Sequence, residues 1–268
     1  MLRTRGERIA ERLAFLVTAI TFLVLYAPVI VSAVFSVVEL RRGKILWETF
    51  TFNYYVTLWS NASVMDALTN TAIVALYSVA FASIFAVLLA LYTQWNGAMG
   101  RRLLMLIVYL PFLLPPIVTG LALLVASANQ GMNRGIATIV IGHTIFVLAI
   151  AYRLVLTRLQ ALPQSMIEAS FDLGASRSQT LRLVLLPHLA SAILTGALLA
   201  LTLSFDETLI SSFVAGDEMT LPLRLWAMMR VGFTPEINAL VTLVLLVSIA
   251  LALVAASLLK PKGEIEED

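Results

Sequence analysis

LPQSMIEASFDLGASRSQTLRLVLLP, residues 162–187, is the only long patterned polar interruption in a chain that otherwise reads as lipid-embedded helix. Pro163 suits the first turn of a helix, where its missing N–H would have had no partner. Met166, Ile167, Ser170 and Phe171 recur at three- and four-residue steps and make one mostly apolar face, while Glu168 and Asp172, four apart, form a separate acidic strip. Gly174 can take the left-handed conformation that ends a helix. Ser176 and Gln179 stand at the spacing of a capping box, which opens a second helix expected to run until Pro187 disrupts it. The expected product is a small amphipathic knob of two short helices joined by a glycine. It either rests on lipid headgroups or docks into a cytosolic partner, and its acidic strip argues for docking, because headgroup-binding helices are more often basic.

Everything around the knob is apolar. With 60% apolar and 13% charged residues, against about 45–50% and 25% in soluble domains, and a mean hydropathy of +0.94, the chain is a polytopic membrane protein. No linker, low-complexity tract or internal repeat divides residues 1–268, so one domain is expected. The small net charge of +2, spread between apolar runs, gives nucleic-acid binding no support. The absence of cysteine excludes disulfides, Cys-ligated zinc and thiol catalysis.

Six runs are long enough to cross a bilayer, at 13–38, 67–92, 103–128, 136–152, 189–213 and 237–259. They lack the alternation of a barrel, so the fold class is an all-α membrane protein of about six transmembrane helices. The first run is too long for the apolar region of a cleaved signal peptide and reads as a retained helix, kinked at Pro28. Between the first two runs, Trp47, Phe50, Phe52, Tyr54, Tyr55 and Trp59 suit the headgroup level, so this segment is expected along the membrane surface. With the N-terminus inside, twelve of the eighteen basic residues fall on the cytoplasmic side, among them Arg3, Arg101, Arg102, Arg177, Arg182, Lys260 and Lys262. That excess supports both termini inside, against the weight of Arg41, Arg42 and Lys44, and puts residues 162–187 in the cytoplasm.

Glu168-Ala169-Ser170, then Gly174, then Val184-Leu185-Leu186-Pro187 resemble the EAA loop of bacterial ABC importer permeases: EAA, three residues, G, nine residues, I-x-L-P. The spacing matches throughout, with Ser170 for the second Ala and Val184 for Ile. Residues 111–120 (PFLLPPIVTG), Ile141-Gly142-His143, Leu203-Ser204-Phe205-Asp206-Glu207, Thr220-Leu221-Pro222-Leu223 and residues 235–240 extend the likeness to the spermidine/putrescine-type permeases over nearly the whole chain. The resemblance implies a type I (MetI-like) ABC importer permease fold in the bacterial inner membrane. It implies as partners a second permease subunit, two cytosolic ATPase subunits and an extracytoplasmic solute-binding protein. Glu168, Ala169, Ser170, Asp172, Gly174 and Pro187 then belong to the ATPase-coupling loop. The chain contains no G-x-x-x-x-G-K-[ST] phosphate loop, so ATP and Mg are expected on the partner ATPase, with no cofactor and no catalysis on this chain.

For the solute path, Asp206 and Glu207 lie some 27 Å along the fifth helix, and intramembrane carboxylates suggest a pathway or a buried partner. They could draw an ammonium group, or be spent on Arg224, Arg230 or a helix end. They point about 100° apart, so only one is expected to face the pore. His143 is a further path candidate, against the blander reading of a bond to a neighbouring helix. Pro115-Pro116 frees backbone carbonyls and is a candidate pore-lining kink. Family members tend to carry an acidic residue where this chain has Pro116, a departure that leaves room beside a polyamine for an amino-acid-like solute such as an aminobutyrate or opine. A secondary transporter using Asp206 or Glu207 would leave the EAA loop without a role and lacks the expected repeats. An intramembrane enzyme finds no H-E-x-x-H or G-x-S-x-G, and His143 and His188 are isolated.

Overall fold

The computed structural model describes residues 5–41, 44–95, 97–232 and 234–258. Arg3, Arg42, Lys260 and Lys262, used in the charge argument, lie outside them. The chain falls into two compact units, one of residues 1–62 with 227–247, the other of 63–226 with 248–268.

In the first unit, α1 (Arg5–Phe35) runs unbroken through Pro28. Phe15, Leu23, Leu25 and Ile30 on it are exposed, as a helix surrounded by acyl chains requires. Packing begins where it ends. Ser36 Oγ lies 2.7 Å from Tyr55 Oη, and Val38 is buried. A two-strand hairpin follows, β1 (Glu39–Arg41) with β2 (Lys44–Leu46), Glu39 opposite Leu46. Glu39 ties it to α2 (Asn53–Ser60), accepting from Tyr54 Oη at 3.0 Å. The polar, aromatic segment is therefore folded on itself, with Trp47, Phe50, Phe52 and Trp59 left exposed.

The second unit is built on α6 (Ile136–Gln160), which buries Ile139, Gly142, His143, Val147, Tyr152 and Val155. Against it lie α3 (Ala62–Gln94) and α9 (Leu186–Asp206). The buried side of α3 is a row of small residues, Ala75, Ser78, Ala82, Ala86 and Ala90, its outer side large ones such as Tyr77, Phe85 and Leu88. Small residues let membrane helices approach until backbones nearly touch, which supplies dispersion where lipid removes the hydrophobic drive. At Gly196 of α9 a Cβ would stand 3.3 Å from Ala151 Cα of α6. Tyr152 Oη donates to Thr93 Oγ1 at 3.0 Å and fastens α6 to the end of α3.

Two of the expected spans are not single helices. Residues 103–128 are split into α4 (Arg101–Leu113) and α5 (Pro116–Asn129), bent by 111°. Pro115 has no N–H for the Pro111 carbonyl four residues back, and Thr119 Oγ1 donates to that carbonyl instead, at 3.4 Å. In residues 189–213, α9 stops at Asp206 and a separate α10 (Leu209–Val214) follows. Beyond it come α11 (Leu221–Val231), whose first N–H donates to Thr71 Oγ1 of α3 at 2.7 Å, and α12 (Pro235–Leu258). Among the described residues the six runs thus become the apolar helices α1, α3 and α6, α9 stopped at Asp206 and followed by α10, one bent pair and α12.

Candidate functional site

The loop at 162–187 folds as the sequence asks in its first half. Pro163 caps α7 (Gln164–Asp172), in which Ser170 is buried while Glu168, Ala169 and Asp172 are exposed. Gly174 has φ +81°, and the turn around it closes in a Schellman pattern: Ala175 N–H donates to Ser170 O at 3.0 Å, Gly174 N–H to Phe171 O at 2.8 Å. The capping box is present, with Ser176 N–H on Gln179 Oε1 at 2.7 Å and Gln179 N–H on Ser176 Oγ at 3.3 Å. It opens α8 (Arg177–Gln179).

The second half differs. The helix does not stop at Pro187. It widens into a π segment, Thr180–Leu185, and continues as α9, so that Pro187 stands inside a continuous helix directly after a turn where the regular i→i−4 ladder is already interrupted. The knob is therefore rigidly continuous with a membrane helix. Ser170 Oγ, 2.9 Å from Thr180 Oγ1, clamps α7 onto that helix, and Gln164 Nε2 donates to Glu168 Oε1 at 3.0 Å along the acidic strip.

At the other end of α9, the carboxylates separate as the angular argument expects, but by a break in the helix. Asp206 is the last helical residue and is exposed. Glu207 is buried, and its Oε1 accepts from Ile210 N–H at 2.9 Å, capping α10. Of the two sequence alternatives, a pair with arginine or a helix-end contact, Glu207 makes the second. Arg224 Nε is buried without a hydrogen-bond partner.

His143 is 1% exposed, with Nδ1 2.9 Å from Ser204 Oγ on α9 and Nε2 2.8 Å from Ser211 Oγ on α10. Ser211 Oγ also reaches Glu207 O at 3.3 Å. The ring thus bridges both sides of the break. Around it the backbone is tight: a Cβ at Gly142 would lie 2.6 Å from Ile210 Cγ2, and one at Gly120 2.9 Å from Phe213 Cδ2. Thr138 Oγ1 donates to Val214 O at 2.9 Å and ties the far end of α10 to the start of α6. Pro115 and Pro116 lie at the α4–α5 break, with Thr119 and Gly120 one turn on.

Sequence reasoning missed Ser204 and Ser211, which stand seven apart and meet only because the helix breaks between them. It also missed a pattern that was legible. At about 100° per residue, His188, Ser191, Thr195, Thr202 and Asp206 fall within a strip about 60° wide on α9. All but the half-buried Thr195 are exposed, and the strip lies far around the helix from buried Leu189, Gly196, Ala200 and Ser204.

Residues 82–261 match the family model for the binding-protein-dependent transport system inner membrane component. Over 239 residues the chain is 32% identical to the spermidine/putrescine transport system permease protein PotC of Escherichia coli K12, covering 89% of this chain and 90% of that protein. Over 245 residues it is 34% identical to the putrescine transport system permease protein PotI of the same strain, covering 87% and 85%. Among solved structures, a chain of a bacterial ABC transporter involved in the import of the acidic polysaccharide alginate superposes with a TM-score of 0.77 at 19% identity, over 96% of this chain and 99% of that one. A chain of an amino acid ABC transporter superposes with a TM-score of 0.60 at 16% identity, over 78% and 98%. At such identities these two likenesses speak for the fold. The family-model match and the two permease relatives establish that the chain belongs to the binding-protein-dependent transport system inner membrane components, as a non-catalytic, multi-pass permease subunit of an ABC importer.

Proposed function

We propose that this permease forms half of the path for a small organic amine of the spermidine/putrescine class, delivered by an extracytoplasmic solute-binding protein. The observation that carries this is the identity of 32–34% to two polyamine permeases over nearly nine-tenths of the chain. The exposed Asp206 agrees with it, since an ammonium group is the natural partner for an unspent carboxylate at membrane depth. In this reading residues 1–268 form one permease domain with both termini cytoplasmic, beside a second permease subunit and two ATPase subunits that bind ATP and Mg.

The strip His188, Ser191, Thr195, Thr202 and Asp206 is the wall this chain gives to the path. Hydroxyls and a carboxylate along one side of a membrane helix are costly against acyl chains and suit a hydrated lumen. It carries no Lys or Arg, which agrees with a cationic solute. Glu168, Ala169, Asp172 and Gly174 serve the ATPase side, with Ser170 and Pro187 holding the loop to α9. Pro115 and Pro116 shape the path through the α4–α5 bend, and His143, with both ring nitrogens occupied, supports the α9–α10 break from behind.

A second reading, an amino-acid-like solute, draws on one feature: the bend is made of prolines with no carboxylate at Pro116. Labelled putrescine and spermidine uptake, in cells that supply the partner subunits and lack other polyamine importers, separates the two. Uptake that depends on this chain and on the ATPase supports the amine. No dependence in cells with the assembled complex moves the solute to the second class.

A further inference from the structure

Between the ends of α3 and α6, the coupling helix α7 and the α8–π segment lies a pocket of about 580 Å³, within the range of small-molecule sites. Leu91, Leu159 and Leu181 make it apolar, while Tyr92, Trp95 and Arg177 bring aromatic and cationic groups to it. Outside the lining, Arg101 fixes the Trp95 backbone, its Nη2 donating to Trp95 O at 2.7 Å. Among the described residues no carboxylate lines the pocket, so its charge selects an anion.

Position selects the kind of anion. α3 is a membrane-spanning helix and the pocket sits at its end, where Trp and Tyr favour the headgroup level. The exposed residues Phe81, Phe85 and Leu88 on α3 step by four and three and lead to Tyr92 four residues on, so the pocket continues the lipid-facing side of that helix. A soluble anion would use Arg177 and leave the apolar volume empty. An acyl chain fills it.

We propose that this pocket binds an anionic phospholipid, with an acyl chain along Phe85 and Leu88 into the space before Leu181 and the phosphate on Arg177. Because α7 forms one wall through Ile167 and Phe171, the lipid also props the coupling helix against the membrane helices. That consequence rests on the coupling-loop assignment above. The binding does not.

The test uses the complete complex in nanodiscs of phosphatidylcholine with added phosphatidylglycerol, counting lipids retained on extraction by native mass spectrometry. Wild type keeps phosphatidylglycerol in preference to phosphatidylcholine. Arg177→Gln keeps about fivefold less, the factor expected for one basic contact near a membrane surface, and Leu181→Trp, which fills the pocket without changing charge, loses it as well. Arg182→Gln, the same charge change at an exposed position outside the pocket lining, keeps it. Retention by Arg177→Gln and Leu181→Trp at the wild-type level overturns the proposal, as does an equal loss in Arg182→Gln, which marks a diffuse charge effect. Stimulation of the ATPase by loaded binding protein, measured alongside, reads the coupling consequence separately: lipid retention with unchanged stimulation counts against that consequence and leaves the site standing.

Discussion

His143 Nε2 lies 2.8 Å from Ser211 Oγ, and through this pair α6 holds the short helix that follows the break at Glu207. The other ring nitrogen holds Ser204 before the break. Since all three side chains are buried, an apolar ring cannot take over. His143→Phe leaves the Ser204 hydroxyl without its partner, at about 1–3 kcal/mol, while Ser211 Oγ keeps its bond to Glu207 O. The expected outcome is a lower melting temperature of the assembled complex. The double variant with Ser204→Ala should recover part of it, because the hydroxyl left orphaned is then gone. Equal melting of wild type and His143→Phe would remove the clamp from the account.

Asp206→Asn and Glu207→Gln should behave differently although the residues are adjacent. Asp206 is exposed on the polar strip, so losing its charge should lower uptake of a cationic solute with little change in complex yield. Glu207 caps α10 through Ile210 N–H, and a Gln oxygen can accept the same bond. Its replacement should change uptake less. Titrating labelled putrescine uptake in both variants checks the order.

Gly142→Ala should destabilise more than its one methyl suggests. The new Cβ meets Ile210 Cγ2 at 2.6 Å and Leu123 Cδ2 at 2.9 Å, between helices with no slack. Overpacking of this kind costs about 1–3 kcal/mol. Ala at Gly131, which has open space but φ +67°, should cost only the strain of a left-handed residue, about 1–2 kcal/mol. Thermal melting of both variants separates crowding from backbone strain.

Glu168→Ala combined with Gly174→Pro should detach the ATPase while the membrane helices remain folded. Proline fixes φ near −65°, against the +81° that Gly174 adopts, so the turn between α7 and α8 cannot close. Co-purification of the ATPase with the permease pair should be lost, and ATP-driven uptake with it. Normal uptake by this double variant would sink the coupling assignment.

The parts legible in sequence were those governed by local rules. Run length gave the helices, the Ser176–Gln179 spacing gave the capping box, and Gly174 gave the turn. The different exposures expected of Asp206 and Glu207 from their angular offset come instead from the end of α9 between them. Pro187 misled because a proline is read as a stop, whereas the π turn just before it has already interrupted the regular ladder. The 111° bend needed more than Pro115, since nothing local says whether a proline kinks a membrane helix or ends it; Thr119 settles where the freed carbonyl goes. The His143 clamp joins residues 61 and 68 positions apart, and no periodicity connects them.

The π segment between the loop and α9 has a consequence in angular phase. Arg177, Leu181, Leu185 and Leu189 step by four; the first three line the pocket, and the last two belong to the buried core. A regular helix of 3.6 residues per turn would carry such a series around by about 40° per step, or roughly 120° in all. The i→i+5 turn at Thr180–Leu185 takes up that drift. Deleting one residue there would restore an ordinary helix and swing the knob by about 100° relative to the polar strip, with both helices otherwise intact. The orientation in which this permease presents its loop is thus set by one surplus residue in a single turn.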